Sequence, residues 1–319
     1  MKHSVLVFLV AAFAMLGGAH AGADAITLYP AYGDVRGYVI EGRIVERREA
    51  EPAHEGDGKL RNLVRNARLF SNDERQHQPV SISLAGREWQ ATTDNEGYFR
   101  IEIGDTVLPP GWHALQARSG SATAAGELLI VAPGATRGLI SDLDDTILVS
   151  EVTSKRRLLR NTFLMNSAQR QPVAGTARLY AGLVATGGET TPLFYLSASP
   201  RQLHGAIASF LLRNDFPHGV LITKRVTNDR NSEPLTDQFA YKTAKIEEIF
   251  MRLPGVRFVL VGDDGERDPE IYDWVRRQHP ERVEAIWIRR VHPDPARARP
   301  EGQRDLAEVL TTNEGVQSQ

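Results

Sequence analysis

The feature that most constrains the fold is an apolar run that ends in two closely spaced aspartates. Residues 138–146 read G-L-I-S-D-L-D-D-T, so Asp142 and Asp144 follow directly after the apolar run. Side chains two positions apart share one side of an extended segment, and an open parallel sheet binds ligands at the carboxyl ends of its strands. Two like charges held together are costly unless a cation or a phosphoryl group compensates them. The motif therefore predicts a buried strand with a functional site at its end; an acidic surface turn is the alternative.

The second half of the chain alternates apolar strands with helix candidates, which is typical of βαβ units and a parallel sheet. Polar residues again follow two of these strands, namely Ser197 and Asp263, and Lys242 stands on a predicted helix between them. We expect these strand ends to converge on one crevice. Ser199, followed by Pro200, is the expected N-cap of the helix that follows the second of these strands. Each site residue also has a plainer interpretation: Ser197 as a helix cap like Ser199, Lys242 as a surface lysine with Lys245 as its rival, and Asp263 as a turn residue.

Together these residue types suit phosphoryl transfer. A carboxylate can attack phosphorus and form an aspartyl-phosphate, and a second carboxylate can protonate the leaving oxygen and later activate water. Ser197 and Lys242 can hold phosphoryl oxygens through a hydroxyl donor and a positive charge. The oxygen ligands and the absence of cysteine favour Mg²⁺ as the cofactor, and they exclude cysteine catalysis and thiolate metal sites.

Four motifs resemble those of the haloacid dehalogenase superfamily: D-x-D-x-T, a strand ending in serine, a lysine, and a strand ending in G-D. The longer stretches S-D-L-D-D-T-I, L-L-R-N-T-F, F-Y-L-S-A-S-P and V-L-V-G-D-D-G-E-R-D-P-E-I-Y resemble the catalytic-domain family of actin-patch-associated, Mg²⁺-dependent phosphatidate phosphatases. The resemblance covers residues 136–291 and implies a Rossmann-like, haloacid dehalogenase-type domain. It also implies Mg²⁺-dependent hydrolysis of a phosphomonoester, phosphatidate above all, with a soluble phosphomonoester as the alternative substrate.

The same resemblance implies roles for individual residues. Asp142 would be the nucleophile and Asp144 the general acid and base. Ser197, Lys242 and Thr146 would bind the substrate phosphate. The Mg²⁺ ligands would be three aspartates: Asp142, Asp144 through its backbone carbonyl, and Asp263.

Two further aspartates follow the last motif's glycine, and the sequence leaves their roles open. Asp264 stands where the family usually carries serine, so this extra carboxylate could tune metal affinity or simply be solvated. Asp268 is the second acidic residue of that motif and could support the site without contacting the metal.

Residues 25–135 predict a small β-sandwich that precedes the phosphatase domain. Short alternating segments such as 80–84 and 98–103 are separated by turn signals, including T-T-D-N-E-G at 92–97. That turn resembles those of the small transthyretin-like and carboxypeptidase-regulatory-like sandwiches. The sequence indicates no partner for this domain. A non-catalytic module that binds envelope glycan or protein, with a vestigial second domain, is the alternative function for the chain.

The two ends of the chain carry different signals. Lys2 precedes the apolar run 5–16, and A-H-A at 19–21 fits a cleavage site, so residues 1–21 predict a secretory signal peptide. We therefore expect an exported protein, periplasmic or secreted; an uncleaved N-terminal anchor is the alternative. Residues 292–319 are rich in proline, arginine and polar residues, which predicts a mostly disordered tail.

Charge bears on the partners of the chain. The formal net charge is −2, and the absence of a basic excess argues against a nucleic-acid partner. The segment Lys155–Met165 combines four cations with five apolar residues. This composition suits a phosphorylated lipid and peripheral contact with a membrane. The plainer alternative is a helix that packs its apolar face on the sheet.

Overall fold

The structure is a computed structural model of the chain. It describes the following residues: 24–46, 74–104, 108–149, 171–188, 190–227, 232–233, 237–291, 294, 296–297 and 299–317. The predicted signal peptide and the segment Lys155–Met165 lie outside the described residues, so both stay predictions. No helix in the described part of the chain has the length and apolar character needed to cross a membrane.

The described residues of the N-terminal part form eight strands, and we call this part the β-rich region. They are β1 (Asp24–Leu28), β2 (Ala31–Asp34), β3 (Gly37–Glu46), β4 (Pro79–Leu84), β5 (Arg87–Thr92), β6 (Tyr98–Gly104), β7 (Gly111–Ser119) and β8 (Ala122–Ile130). The hydrogen-bonded order is β1-β3-β2-β8-β7-β4-β5, with β6 paired to β3. Alternating residues such as Val80, Ile82 and Leu84 are buried, because period-two patterning turns one side of each strand towards the core.

The remaining elements form the α/β region. Its strands are β9 (Arg137–Ser141), β10 (Leu148–Val149), β11 (Gln171–Pro172), β12 (Leu193–Pro200), β13 (Val220–Lys224), β14 (Arg257–Asp263), β15 (Val283–Arg289) and β16 (Gln303–Asp305). Its helices are α1 (Thr176–Gly187), α2 (His204–Arg213), α3 (Gln238–Arg252), α4 (Asp268–Gln278) and α5 (Leu306–Gln317), and a 3-10 turn at Arg201–Leu203 precedes α2.

The main sheet of the α/β region has six strands in the order β13-β12-β9-β14-β15-β16. Every pairing in it is parallel. The chain starts at β9, adds β12 and β13 on one side, and then returns to add β14, β15 and β16 on the other. The strand order therefore reverses between β9 and β14, and ligands bind at such a point in open α/β sheets. The predicted α/β class with a parallel sheet is confirmed.

Helices cover both faces of this sheet. One face packs against α3 and α4, and the other against α1, α2 and α5. Leu129 and Val131, at the end of the β-rich region, join the core of the first face. The ring of Tyr32 also packs edge-on against Phe194 of β12, with 4.8 Å between ring centroids. The β-rich region therefore packs on the same face of the sheet as α3 and α4.

The prediction of a mostly disordered tail is wrong for the segment after Gly302. Residues 303–305 form β16, which pairs in parallel with β15 and adds an outer strand to the sheet. Leu306 and Val309 of α5 are buried, and Leu310 packs beside them. These apolar residues are spaced at i, i+3 and i+4, so that burying one face of a helix outweighs the polar composition around them.

Candidate active site

The loop after β9 carries the first two predicted catalytic residues. The amide of Asp142 donates to the carbonyl of Val261 at 2.8 Å, which continues the pairing of β9 with β14 past Ser141. The chain then turns sharply, because Asp145 has a positive φ of 58°. Aspartate tolerates this left-handed conformation better than most residues. Arg289 holds the turn from β15, since its Nη1 donates to the carbonyl of Asp145 at 2.6 Å.

Four predicted site residues meet behind this turn. The Nζ of Lys242 lies 2.7 Å from Oδ1 of Asp142. The hydroxyl of Thr146 lies 3.2 Å from Oδ2 of Asp142 and 3.2 Å from Oδ2 of Asp263, so its single proton can bond either carboxylate. All four side chains are buried. Lys242 reaches the site because α3 begins at Gln238, where the Asp237 side chain caps it, and this places Lys242 in the second turn.

Asp268, whose role the sequence left open, joins the same group. Its Oδ1 lies 2.5 Å from Nζ of Lys242, and its Oδ2 accepts from the amide of Asp263 at 3.3 Å. Gly262 permits this approach, because a Cβ at that position would lie only 2.4 Å from Oδ2 of Asp268. The signal for Asp268 was its place at the start of a helix, three positions before the I-Y of the last motif. We call Asp142, Asp263, Asp268 and Lys242 the acidic cluster.

The acidic cluster contains more negative than positive charge. Three carboxylates face one ammonium group, and all four side chains are buried. Burial raises the pKa of Asp142 well above its usual range; Lys242 opposes this, but Asp268 and Asp263 add to it. Burial also raises the pKa of Asp263, with the carboxylate of Asp268 adding to the shift. The carboxyls would ionise more readily if a further cation were bound beside them.

The chemistry of these donors fits a hard divalent cation. One oxygen from each of Asp142, Asp263 and Asp268 lies within 4.8 Å of the others. Mg²⁺ prefers carboxylate oxygens and is commonly bound through one or two of them together with substrate phosphate. The geometry therefore places Asp268 beside the predicted ligands Asp142 and Asp263, whereas the carboxylate of Asp144 lies outside this group.

Two further predicted site residues flank the acidic cluster: Asp144 in the loop after β9, and Ser197 in the last part of β12. The hydroxyl of Ser199 donates to Oδ2 of Asp144 at 3.3 Å. Ser197 is fully buried; its Oγ accepts from the amide of Ser199 at 3.0 Å, and its carbonyl accepts from the hydroxyl of Tyr241 at 3.2 Å. The end of β12 and the loop after β9 are thus linked through Ser199, a contact that the sequence did not indicate.

The structure corrects three expectations about residues near the site. Ser199 is not a helix cap, because β12 continues to Pro200 and no side chain caps α2. Lys245 is not at the site; it pairs with Glu233 at 3.0 Å and with Glu248 at 3.4 Å. The solvated alternative for Asp264 is wrong, since this side chain is buried and its Oδ1 accepts from the amide of Val291 at 2.6 Å.

Comparison with known proteins shows that the α/β region is similar to one family. Residues 137–290 match the family model described as "Phosphatidate phosphatase APP1, catalytic domain". The Saccharomyces cerevisiae protein named phosphatidate phosphatase APP1 is 35% identical over 150 residues, which are 47% of this chain and 25% of that protein. A Schizosaccharomyces pombe protein described as uncharacterized is 29% identical over 151 residues, which are 46% of this chain and 24% of that protein. The chain thus spans about a quarter of the length of these relatives.

Similarity to solved structures is weaker. A carbohydrate acetylesterase from Xanthomonas citri aligns with 83% of this chain and 68% of its own, at 8% identity and a TM-score of 0.31, which carries no argument about fold or function. The family match is different, because the matched segment contains the whole acidic cluster together with Asp144 and Ser197. Residues 137–290 are therefore similar to the catalytic-domain family of phosphatidate phosphatase APP1.

Proposed function

We propose that this chain is a Mg²⁺-dependent phosphatase that hydrolyses a phosphomonoester through an aspartyl-phosphate on Asp142. The observation that carries the proposal is the excess negative charge of the acidic cluster, buried at the point where the strand order of the sheet reverses. A divalent cation and a phosphoryl group would together complete such a site electrostatically. The match of residues 137–290 to the phosphatase family model supports the same reaction class.

The burial and contacts of each residue support its proposed role in the reaction. Asp142 is buried and fixed by Lys242 and Thr146, so its carboxylate is held for attack on phosphorus. Asp144 is only half-buried, which suits a group that must meet both a leaving group and water. Lys242 provides positive charge beside the transferred phosphoryl group, and Ser197 would donate a hydrogen bond to it.

The two proposed steps use these residues in turn. Asp142 forms a bond to phosphorus while the bond to the leaving oxygen breaks, and Asp144 gives that oxygen its proton. Water then attacks phosphorus, Asp144 takes a proton from the water, and the bond between Asp142 and phosphorus breaks to release phosphate. Mg²⁺ held by Asp142, Asp263 and the carbonyl of Asp144 would supply positive charge against the phosphoryl oxygens.

We infer a finer fold and setting from the sequence patterns. Residues 136–291 would be a Rossmann-like domain of the haloacid dehalogenase type, and residues 25–135 a β-sandwich. The central position of β9 in the parallel sheet supports the first assignment. Export to a periplasm or beyond the cell stays a proposal that rests on residues 1–21.

The proposed substrate is phosphatidate, and a soluble phosphomonoester is the second candidate. The name of the Saccharomyces cerevisiae relative and the mixture of cations and apolar residues in Lys155–Met165 support a lipid phosphate. The soluble candidate shares the same chemistry at Asp142. A substrate panel therefore separates them better than any change at the acidic cluster.

The proposal is tested by turnover of nitrophenyl phosphate, an alkyl phosphate and phosphatidate vesicles, each with and without Mg²⁺. Wild-type turnover should require Mg²⁺. Asp142→Asn should lower kcat by at least about 10³-fold, or about 4 kcal/mol of barrier, because a neutral amide attacks phosphorus poorly. Asp273→Asn is the matched control, since Asp273 lies on α4 but pairs with Arg276 and Arg277 instead of Lys242.

Two further measurements complete this test. Rapid quenching with labelled nitrophenyl phosphate should trap the phosphoryl group on Asp142. Mg²⁺ should raise the midpoint of thermal unfolding of the wild type and raise that of Asp263→Asn much less. Substantial turnover by Asp142→Asn, or full activity in the presence of a metal chelator, would count against the proposed reaction.

A further inference from the structure

Two arginines of the α/β region, both beside the candidate active site, contact side chains of the β-rich region. Arg201 directly follows β12, and its Nη2 donates to Oε2 of Glu41 at 2.6 Å, with only 10% of the arginine side chain exposed. Arg225 directly follows β13, and its Nη2 donates to Oδ2 of Asp94 at 2.7 Å. β12 and β13 are neighbours in a parallel sheet, so both arginines lie at the carboxyl edge, where the catalytic loops are.

Aromatic rings of the β-rich region complete these contacts. The guanidinium of Arg201 lies 4.6 Å from the ring centroid of Tyr29, and that of Arg225 lies 4.2 Å from the ring centroid of Tyr98. A cation held against an aromatic face and paired with a carboxylate keeps its charge satisfied when buried. We call Glu41, Asp94, Tyr29, Tyr98, Arg201 and Arg225 the junction cluster.

The turn between β5 and β6, which the sequence shows as T-D-N-E-G-Y, builds one side of this cluster. Oδ1 of Asp94 accepts from the amides of Glu96 and Tyr98, both at 2.9 Å, which leaves Oδ2 for Arg225. Gly97 has a φ of +76°, and a Cβ there would lie 2.3 Å from the carbonyl of Ile44. The turn is therefore closely packed and presents Asp94 and Tyr98 in fixed positions.

On its other side, the junction cluster adjoins the segment at the end of β12 that carries Ser197 and Ser199. Arg201 is two positions after Ser199, whose hydroxyl bonds Asp144, and four after Ser197. Tyr241 holds the same loop from α3 through the carbonyl of Ser197. The segment 197–201 is thus anchored by α3 at its beginning and by the β-rich region at its end.

We propose that the β-rich region positions groups of the active site. It does so through Arg201 and Arg225, which hold the segment 197–201 at the end of β12, and this segment in turn holds Asp144. This inference rests on the proposed function, because it assigns the β-rich region a part in that reaction. Arg201 and Arg225 are positioning residues, since they act on the reacting groups through Ser197 and Ser199. Small displacements of catalytic groups are costly, about 100-fold in rate for roughly 1 Å.

A second contact between the two regions provides a matched control. The rings of Trp112 and His218 stack with centroids 3.9 Å apart, and Nε2 of His218 lies 2.8 Å from Oε2 of Glu127. His218 precedes β13, so this contact lies at the opposite edge of the parallel sheet from the active site. If the β-rich region only stabilised the fold, the two contacts would have equivalent effects on activity.

The experiment compares three variants of the full chain in the presence of Mg²⁺. Arg201→Met removes the guanidinium and keeps most of the bulk, Asp94→Asn removes only the charge that holds Arg225, and His218→Leu removes the contact at the opposite edge. The measured quantities are kcat for an alkyl phosphate and kcat for nitrophenyl phosphate. The alkyl ester needs the proton of Asp144 much more, because an alkoxide is a poor leaving group.

We expect the ratio of the alkyl to the nitrophenyl kcat to fall at least about tenfold in Arg201→Met and by a smaller factor in Asp94→Asn. The His218→Leu ratio should equal that of the wild type. Partial unfolding alone lowers both kcat values equally, so it leaves the ratio unchanged. An unchanged ratio in both Arg201→Met and Asp94→Asn overturns the proposal.

Hydrogen exchange provides a readout that does not depend on the proposed reaction. Amides of residues 197–203 should exchange faster in Arg201→Met and Asp94→Asn than in wild type, and at the wild-type rate in His218→Leu. Absence of all phosphatase activity, combined with this exchange pattern, would refute the proposed function and leave the positioning contact standing. Equal exchange in all three variants overturns the positioning role itself.

Discussion

Two groups of charged side chains, one buried and one half-buried, differ in how well their charges are balanced. The acidic cluster sets three carboxylates against the single ammonium of Lys242. In the junction cluster each carboxylate is paired with a guanidinium: Glu41 with Arg201, and Asp94 with Arg225. The other oxygen of Glu41 also pairs with the exposed Arg100 at 3.1 Å. A buried excess of one charge is costly unless another ion joins it, whereas a paired set is complete. The comparison indicates that unbalanced charge is a feature of the proposed ligand site, the acidic cluster. Balanced charge is a feature of the structural contact, the junction cluster.

The carboxyl pKa values express the same contrast. Burial is the largest influence in both places and raises the pKa of Asp142 and of Glu41 alike. At Asp142 the neighbouring carboxylates Asp268 and Asp263 add to it, so the pKa ends well above its usual range. At Glu41 the charge and hydrogen bond of Arg201, together with the charges of Lys245 and Arg100, outweigh it, so the pKa ends below its usual value.

The largest effect should come from removing the only cation of the acidic cluster. Lys242→Met leaves Asp142 and Asp268 buried without their partner, so we expect a loss of about 3–5 kcal/mol in the free energy of unfolding. Denaturant titration with a metal chelator present measures this loss. Lys245→Met on the same helix is the control, with an expected loss below about 1 kcal/mol. Similar losses in the two variants would contradict the unbalanced arrangement.

The next effect concerns a histidine beside the junction cluster whose Nδ1 has no hydrogen-bond partner among the described residues. His204 is buried, with its ring edge-on to Tyr29 at 5.3 Å, and burial lowers its pKa from 6.5 to about 4, helped by the charge of Arg201. The unfolded chain binds this proton more readily. The stabilisation is therefore complete above about pH 6.5 and is lost as the pH falls towards 4, by on the order of 3 kcal/mol.

His204→Gln should flatten this dependence, because glutamine does not titrate in the same range. The measurement is the free energy of unfolding of the wild type and the variant at several pH values between 4 and 7. If the difference in free energy of unfolding between the two proteins stays constant with pH, then burial beside the junction cluster does not keep His204 neutral.

The smallest effect gives the clearest comparison of the two clusters. The two variants should change the free energy of unfolding in opposite directions. With a metal chelator present, Asp263→Asn should stabilise the protein by about 1 kcal/mol, since it removes one of three buried like charges. Glu41→Gln should destabilise it by about 1 kcal/mol, since Arg201 loses its charged partner. Thermal and denaturant unfolding of both variants measure the two changes. Changes of the same sign would mean that the two clusters do not differ in charge balance.

Much of the site could be predicted because its signals are local in sequence. The apolar strands fixed the positions of Asp142 and Asp263, and the order of the motifs pointed to Lys242. Asp268 could be singled out but not placed, since its contact with Lys242 depends on the packing of α3 against α4. The role of Ser199 was missed because a serine before proline and a helix satisfies the usual pattern of a cap. The contacts of Arg201 join residues 160 positions apart, and no periodicity indicates them.

The position of β9 in the middle of the sheet has a consequence for how activity appears during folding. Thr146 and Asp263, which meet in the site, are 117 positions apart in the chain. Closing so long a loop before any contact compensates for its entropy is slow, and non-local parallel pairing is formed late in many proteins. Until β14 has paired with β9, the aspartates of the two strand ends remain separate. The proposed metal binding would therefore require the completed topology, and we expect it to be recovered after, not with, the bulk of the secondary structure.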